Sequence, residues 1–227
     1  MKLFRRKFTI GFIVVAILII CPACFEVVEE INLNNDGSGS FCFTINMSQS
    51  KLNINAMLLL DSVNGRAVPK VSDMKKTIDQ AEQTLKNDSS VSNIKTTQNW
   101  EDYIFSVSGN FKSIEGLNKA INQIYAMFTK QTKHPFEAKE HFSYANRVFK
   151  RIYNYNLTGD YNSLSEKDKV VFKDARYTSI YRFKTMVGNY SNTDALKSKN
   201  GMAIMLKANI KDLITNRKTL ENTVHLN

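Results

Sequence analysis

Met1 to Cys24 reads MKLFRRKFTIGFIVVAILIICPAC, and this stretch constrains the rest of the 227-residue chain more than any other. Lys2, Arg5, Arg6 and Lys7 precede an apolar run of thirteen residues, Phe8 to Ile20, interrupted only by Thr9 and Gly11. A basic start followed by a short apolar run is the pattern of an export signal. Thirteen helical residues reach about 20 Å against a hydrocarbon core of roughly 30 Å, so a permanent transmembrane helix fits less well. Pro22 keeps that helix from gaining length. Export implies an oxidising destination. Yet the chain has three cysteines, and Cys21 leaves with the signal, so the mature chain keeps only Cys24 and Cys42. That is too few for a disulfide framework. The fold has to stand on its core.

The Ala23-Cys24 pair resembles the lipobox of bacterial lipoproteins, where a small residue precedes the cysteine that is acylated and becomes the new N-terminus. Cys21 stands where that family prefers an aliphatic residue, and Pro22 is not its usual next residue. The resemblance implies a signal peptide over residues 1–23 and palmitate-type acylation of Cys24. Ordinary signal cleavage and an uncleaved anchor are the alternatives. Acyl chains hold a domain at a membrane by about 0.8 kcal/mol per buried CH₂. Glu26, Glu29 and Glu30 follow closely and bear on sorting between membranes. The expected address is the cell envelope, lipid-anchored, in the outer membrane, with the leaflet open.

Residues 24–227 make 204 residues, which suits a single domain. The hydrophobic fraction of 43% is ordinary for a globular chain and argues against disorder. Charge is uneven. Residues 24–129 carry 9 basic and 12 acidic side chains, whereas residues 130–227 carry 18 and 9. The second half is therefore net +9, either a solvated face or a surface attracted to anionic lipid or glycan. No nucleic-acid motif accompanies it.

Phe25–Leu33 and Ser40–Met47 alternate in hydropathy around Asn34-Asn35-Asp36-Gly37-Ser38-Gly39, which predicts a β-hairpin. On its second strand Phe41, Phe43 and Ile45 share one face and Cys42 lies on the other. Ser48–Leu60 reads as a helix, and a second runs from a Ser72 cap to Lys86, with Met74, Ile78, Ala81 and Leu85 on one face. Val91–Thr97 and Tyr103–Phe111 read as strands. Ser113 caps the clearest helix, whose stripe is Ile114, Leu117, Ile121, Ile124, Tyr125 and Phe128. Beyond a polar link at 129–141, the best candidate for a subdomain boundary, Phe142–Asn156 reads as extended. Ser165 opens a short helix, Arg176–Val187 reads as one long strand, and Met202–Asn209 and Leu220–Leu226 as two more. The expected class is α+β: a mostly antiparallel sheet built from hairpins, packed against three or four helices.

A cysteine anchor, a strand and the N-D-G-S-G hairpin come first. Helices, a second hairpin, the late strand Phe183–Val187, the turn Ser198–Gly201, the strand Met202–Ala208 and Lys211–Ile214 follow. That order resembles bacterial envelope lipoproteins with an LppM-like domain. Such a resemblance implies lipid or ligand binding and carries over no functional residue.

Chemical signatures are few. Asn32-x-Asn34-x-Asp36-Gly37 matches half a calcium loop, but the twelfth position, where a bidentate Glu is needed, is Phe43. His134, Glu137, Glu140 and His141 fit no metal-site spacing and read as a polar loop. No nucleophile elbow, P-loop or dinucleotide fingerprint is present, and no cofactor is expected. The best binding candidates are Arg147, Lys150, Arg151, Tyr153 and Tyr155, where cations interleave with aromatic rings. Core packing under a basic surface explains the same residues. The expected function is a membrane-anchored, non-enzymatic binding or assembly module for an envelope lipid, glycan or protein. The alternative is an envelope-polymer hydrolase whose site is assembled from distant residues.

Overall fold

The structure is a computed structural model and describes residues 25–63, 66–128 and 140–227. Cys24, the export segment, Asn64-Gly65 and most of the 129–141 link lie outside the described residues. The α+β class is what the alternation and the helical stripes call for. A seven-stranded sheet has the order Leu196–Lys197, Ala203–Asn209, Arg176–Phe183, Glu26–Leu33, Gly39–Asn46, Ile104–Phe111, Val91–Asn99, and a four-stranded sheet the order Val187–Tyr190, Asn222–Leu226, Val148–Arg151, Phe142–Ala145.

The first hairpin, β1 (Glu26–Leu33) and β2 (Gly39–Asn46), forms the middle of the large sheet. Its turn shows why the sequence reads N-D-G-S-G. Asp36 Oδ1 accepts from the Ser38 amide and hydroxyl, and Gly37 takes φ +84°. A Cβ on Gly39 would sit 2.1 Å from the Asn32 carbonyl oxygen. The calcium-loop residues are thus consumed in a hairpin turn.

After β2 come a 3₁₀ turn (Ser48–Ser50), α1 (Lys51–Leu58) and a two-residue ladder of β3 (Ser62–Val63) with β4 (Arg66–Ala67). The helix α2 (Val71–Lys86) begins one residue before the expected Ser72 cap. Its N-cap is Lys70, extended behind Pro69 and making no side-chain bond. Strands β5 (Val91–Asn99) and β6 (Ile104–Phe111) complete that side of the sheet, and α3 (Ile114–Phe128) follows, with Ser113 Oγ accepting from the Gly116 amide.

Two expected strands are divided. Phe142–Asn156 is a hairpin, β7 (Phe142–Ala145) and β8 (Val148–Arg151), turning at Asn146 and Arg147 with φ of 51° and 61°. Next come α4 (Thr158–Ser163) and α5 (Glu166–Lys169), the latter capped by Ser165 as its sequence indicates, then a 3₁₀ turn (Val170–Phe172). Arg176–Val187 breaks at Lys184–Met186, so β9 (Arg176–Phe183) belongs to the large sheet and β10 (Val187–Tyr190) to the small one. The chain closes with β11 (Leu196–Lys197), β12 (Ala203–Asn209), α6 (Ile210–Ile214) and β13 (Asn222–Leu226).

Among the described residues all strand pairs are antiparallel except β1 with β9, which run parallel. Successive side chains point to opposite faces of a sheet. The register therefore puts Val27, Glu29, Ile31 and Leu33 on one face with Phe41, Phe43, Tyr177, Tyr181, Phe183, Ile204 and Leu206. Helices α2 and α3 and the small sheet cover this face, and the core lies between. The other face carries Asn32, Ser40, Cys42, Thr44, Ser106, Ser108 and Arg182, all at least partly exposed.

Candidate functional site

The only charged residue on the apolar face of β1 is Glu29, and period-two alternation puts it there between Val27 and Ile31. A buried carboxylate needs compensation. Arg151, at the end of β8, supplies it: Nε donates to Oε1 at 3.1 Å and Nη2 to Oε2 at 3.0 Å. Both side chains are buried, and this two-pronged geometry is the strong form of the pair. Tyr181 donates to Oε1 at 2.5 Å and Tyr177 to Oε2 at 2.6 Å. The second guanidinium arm reaches the carbonyls of Ile152 at 2.8 Å and His141 at 3.3 Å. Phe142 lies under the guanidinium, 4.8 Å from ring centroid to Cζ.

His141 extends the cluster toward α3. Its Nε2 lies 2.9 Å from Asn122 Oδ1 and its Nδ1 lies 2.5 Å from the Tyr155 hydroxyl. The amide oxygen only accepts, so Nε2 carries a proton and donates to Asn122. Asn118, one turn earlier on α3, accepts from the His141 and Phe142 amides and donates to the Phe142 carbonyl. The helix therefore presents two kinds of face: an apolar one for the core and Asn118 and Asn122 for the start of β7.

Electrostatics follow from burial. Desolvation, then the Glu29 carboxylate, holds the phenols of Tyr177 and Tyr181 well above the ordinary tyrosine range. Burial disfavours the Arg151 cation, and Glu29 together with the surrounding Tyr181, Tyr177 and Tyr155 phenols more than restores it. Each Glu29 oxygen takes two donors, and these bonds join the two sheets, while the Asn118 and Asn122 bonds to His141 and Phe142 tie in α3. The arrangement is a satisfied structural knot.

The sequence-derived candidates are thereby separated. Arg151 is consumed by Glu29, Tyr155 by His141, and Tyr153 donates to the Leu213 carbonyl at 3.2 Å. Only Arg147 and Lys150 are exposed, on the β7–β8 hairpin. The five do not form one surface. His141 has both ring nitrogens engaged, and His134 and Glu137 lie outside the described residues. Among the described residues no cluster of three or more potential metal ligands occurs. Glu29 and Tyr181 are the residues that sequence reading missed. The available signal was a carboxylate in register with an apolar strand face.

A second feature lies on the uncovered face. Asn110, Ser40, Asn32 and Arg182 stand side by side across β6, β2, β1 and β9. With Lys184 they line an open depression of about 630 Å³ at the end of the sheet where β1 finishes. Asn32 donates to Ser40 at 2.9 Å and Arg182 pairs with Glu30 at 2.8 Å. Amides, a hydroxyl and cations in one row suit a polyhydroxylated or anionic ligand.

No protein-family model matches this chain, and no curated protein matches its sequence. Among solved structures, the NMR structure of the folded domain of the Mycobacterium tuberculosis LppM protein is similar. The TM-score is 0.41 at 9% identity, over 89% of this chain and 91% of that one. The resemblance read from the sequence is met at that level, as a weak structural likeness. No helix among the described residues is long and apolar enough to cross a membrane.

Proposed function

We propose that this chain is a lipid-anchored envelope protein, residing in the outer membrane, that acts as a non-enzymatic binding or assembly module. One observation carries the reading: the fold starts at once. Phe25, the residue after Cys24, already accepts a hydrogen bond from the Arg176 amide, and Glu26 is the first residue of the sheet's central strand. The lipobox-like Ala23-Cys24 is thus joined to a rigid body with no spacer. Acyl chains on Cys24 would hold one end of the sheet at the membrane, with the polar row of Asn32, Ser40, Asn110 and Arg182 at the opposite end, where an envelope glycan or anionic headgroup is the fitting ligand.

Metabolic labelling with a fatty-acid probe tests the anchor. Wild type incorporates the label and Cys24→Ala does not; equal labelling of both sinks the reading. Binding is tested by incubating the purified protein with envelope lipid and glycan extracts. Enrichment of one class, reduced in Asn32→Ala/Arg182→Ala, is the expected result, and no enrichment of any class counts against a binding module.

A further inference from the structure

The end of the sheet where β1 starts is unlike the rest of the surface. Strand β2 finishes there and leads into α1, and β9 starts there after the Val170–Phe172 turn. Both connections expose large apolar side chains. On the α1 side these are Leu52 (78% exposed), Met57, Leu59 (87%) and Leu60. On the β9 side they are Val170 and Val171. Leu52 and Ala56 lie one turn apart on α1, and Leu59 and Leu60 follow in the turn just after it, so this segment presents apolar side chains to the outside rather than to the core. Six of the ten large hydrophobics that are exposed among the described residues lie in these two segments. Scattered apolar exposure is normal, whereas a concentration calls for an occupant.

The chain itself names the occupant. Phe25 stands between the two segments, its ring 6.4 Å from that of Phe172. Residues 1–24 join the fold here, and the two residue steps from Cys24 to Glu26 reach about 7 Å at most. Acyl chains on Cys24 therefore enter the bilayer beside these side chains. Charge agrees with that placement. Lys167, Lys173 and Arg176 are exposed around Val170–Val171; of the carboxylates there, Glu166 is taken by Lys169 at 2.7 Å, and Asp168 and Asp174 are half-buried with partners of their own. Cations beside apolar side chains suit the anionic headgroup layer.

We infer that this end of the sheet docks onto the lipid bilayer, with the exposed side chains of Leu52, Met57, Leu59 and Leu60 and of Val170–Val171 inserted among the headgroups, so that the acylated domain stands in a fixed orientation instead of swinging on its anchor. The inference rests on acylation of Cys24. Docking fixes which surface is presented: the Asn32–Arg182 row faces away from the membrane.

The acylated full chain, reconstituted in vesicles of phosphatidylethanolamine and phosphatidylglycerol, tests this. Trp100 is the sole tryptophan, so Trp100→Phe clears the background for probes at Leu59→Trp and, at the opposite end, Met186→Trp. Lipids brominated on the acyl chain are expected to quench the probe at position 59 by half or more and the probe at position 186 by less than a tenth. Adding Leu52→Asn/Leu60→Asn is expected to cut the quenching at position 59 at least threefold while the chain still floats with the vesicles. These positions are exposed, so folding is unaffected, and an unchanged circular dichroism spectrum verifies it. A chain that floats with vesicles but shows no quenching at position 59, or equal quenching at both positions, overturns docking and leaves anchoring intact. A chain that does not float overturns both.

Discussion

The interior around Glu29 and the end around Leu59 reverse the ordinary distribution of side chains. One places a carboxylate and a guanidinium in the core, and the other leaves leucines in the open. The first is tolerated because every group has a partner. Two charges taken from water cost several kcal/mol each, and only ideal geometry with further hydrogen bonds repays that. Glu29 has Arg151, Tyr177 and Tyr181. Leu59 has none of the core's contacts, so its exposure adds nothing to the stability of the domain. One region shapes the fold, and the other is available to what lies outside it.

The largest effect should follow from breaking the pair. Glu29→Ala or Arg151→Ala each leave a buried unpaired charge and are expected to cost about 3–5 kcal/mol, read in urea unfolding. Glu29→Leu/Arg151→Met should recover most of that loss, because it removes both charges together. Failure to recover would mean that the pair itself, and not only its satisfaction, holds the sheets.

Next comes the hydroxyl of Tyr181. Tyr181→Phe removes one donor from a buried carboxylate and should cost about 1–3 kcal/mol. The same phenol gives a pH signature. Its folded pKa is raised above the unfolded value, so the stability it contributes is complete below about pH 10 and is lost as the pH climbs through the folded value. Unfolding measured across alkaline pH should therefore decline less steeply in Tyr181→Phe than in wild type.

Asp88 gives the acid counterpart on the helical side. Burial raises its carboxyl, and bonds from Ser90, Lys119 and Gln123 more than offset this, leaving it far below the usual range. A depressed folded pKa stabilises above the unfolded value and is lost as pH falls through the folded one. Asp88→Asn should accordingly be less stable than wild type at pH 7, with the gap closing below about pH 4 in thermal melts. The smallest effect is expected from Leu59→Asn, within about 0.5 kcal/mol in the same melts. A larger loss would show that α1 belongs to the core after all.

Local chemistry made part of this fold legible. The Asp-Gly hairpin, the α3 stripe and the Ser165 cap depend on neighbours in sequence, and each stands where the residues indicate. The β7–β8 hairpin was hidden because no glycine marks it: Asn146 and Arg147 take the left-handed conformation themselves. The break between β9 and β10 was hidden because Val187 continues the apolar pattern while crossing to another sheet. The Glu29–Arg151 pair spans 122 residues, and no local pattern joins its halves. Reading Arg151 by its neighbours made it a binding candidate, whereas the usable signal lay at Glu29, one charge on an apolar strand face.

The parallel pairing of β1 with β9 also sets an order of events. The central strand is the first element of the fold to be made, and one of its two neighbours, Arg176–Phe183, comes about 150 residues later. Hairpins with β2 and then β6 can close early, but the other edge of β1 keeps its amides and carbonyls unpaired until most of the chain exists. Loop-closure entropy makes such distant pairings slow. An open, partly apolar edge held that long is a template for pairing with the wrong strand. The step that limits folding should therefore be arrival of β9, and a chain halted before residue 176 should be caught as a sticky half-sheet.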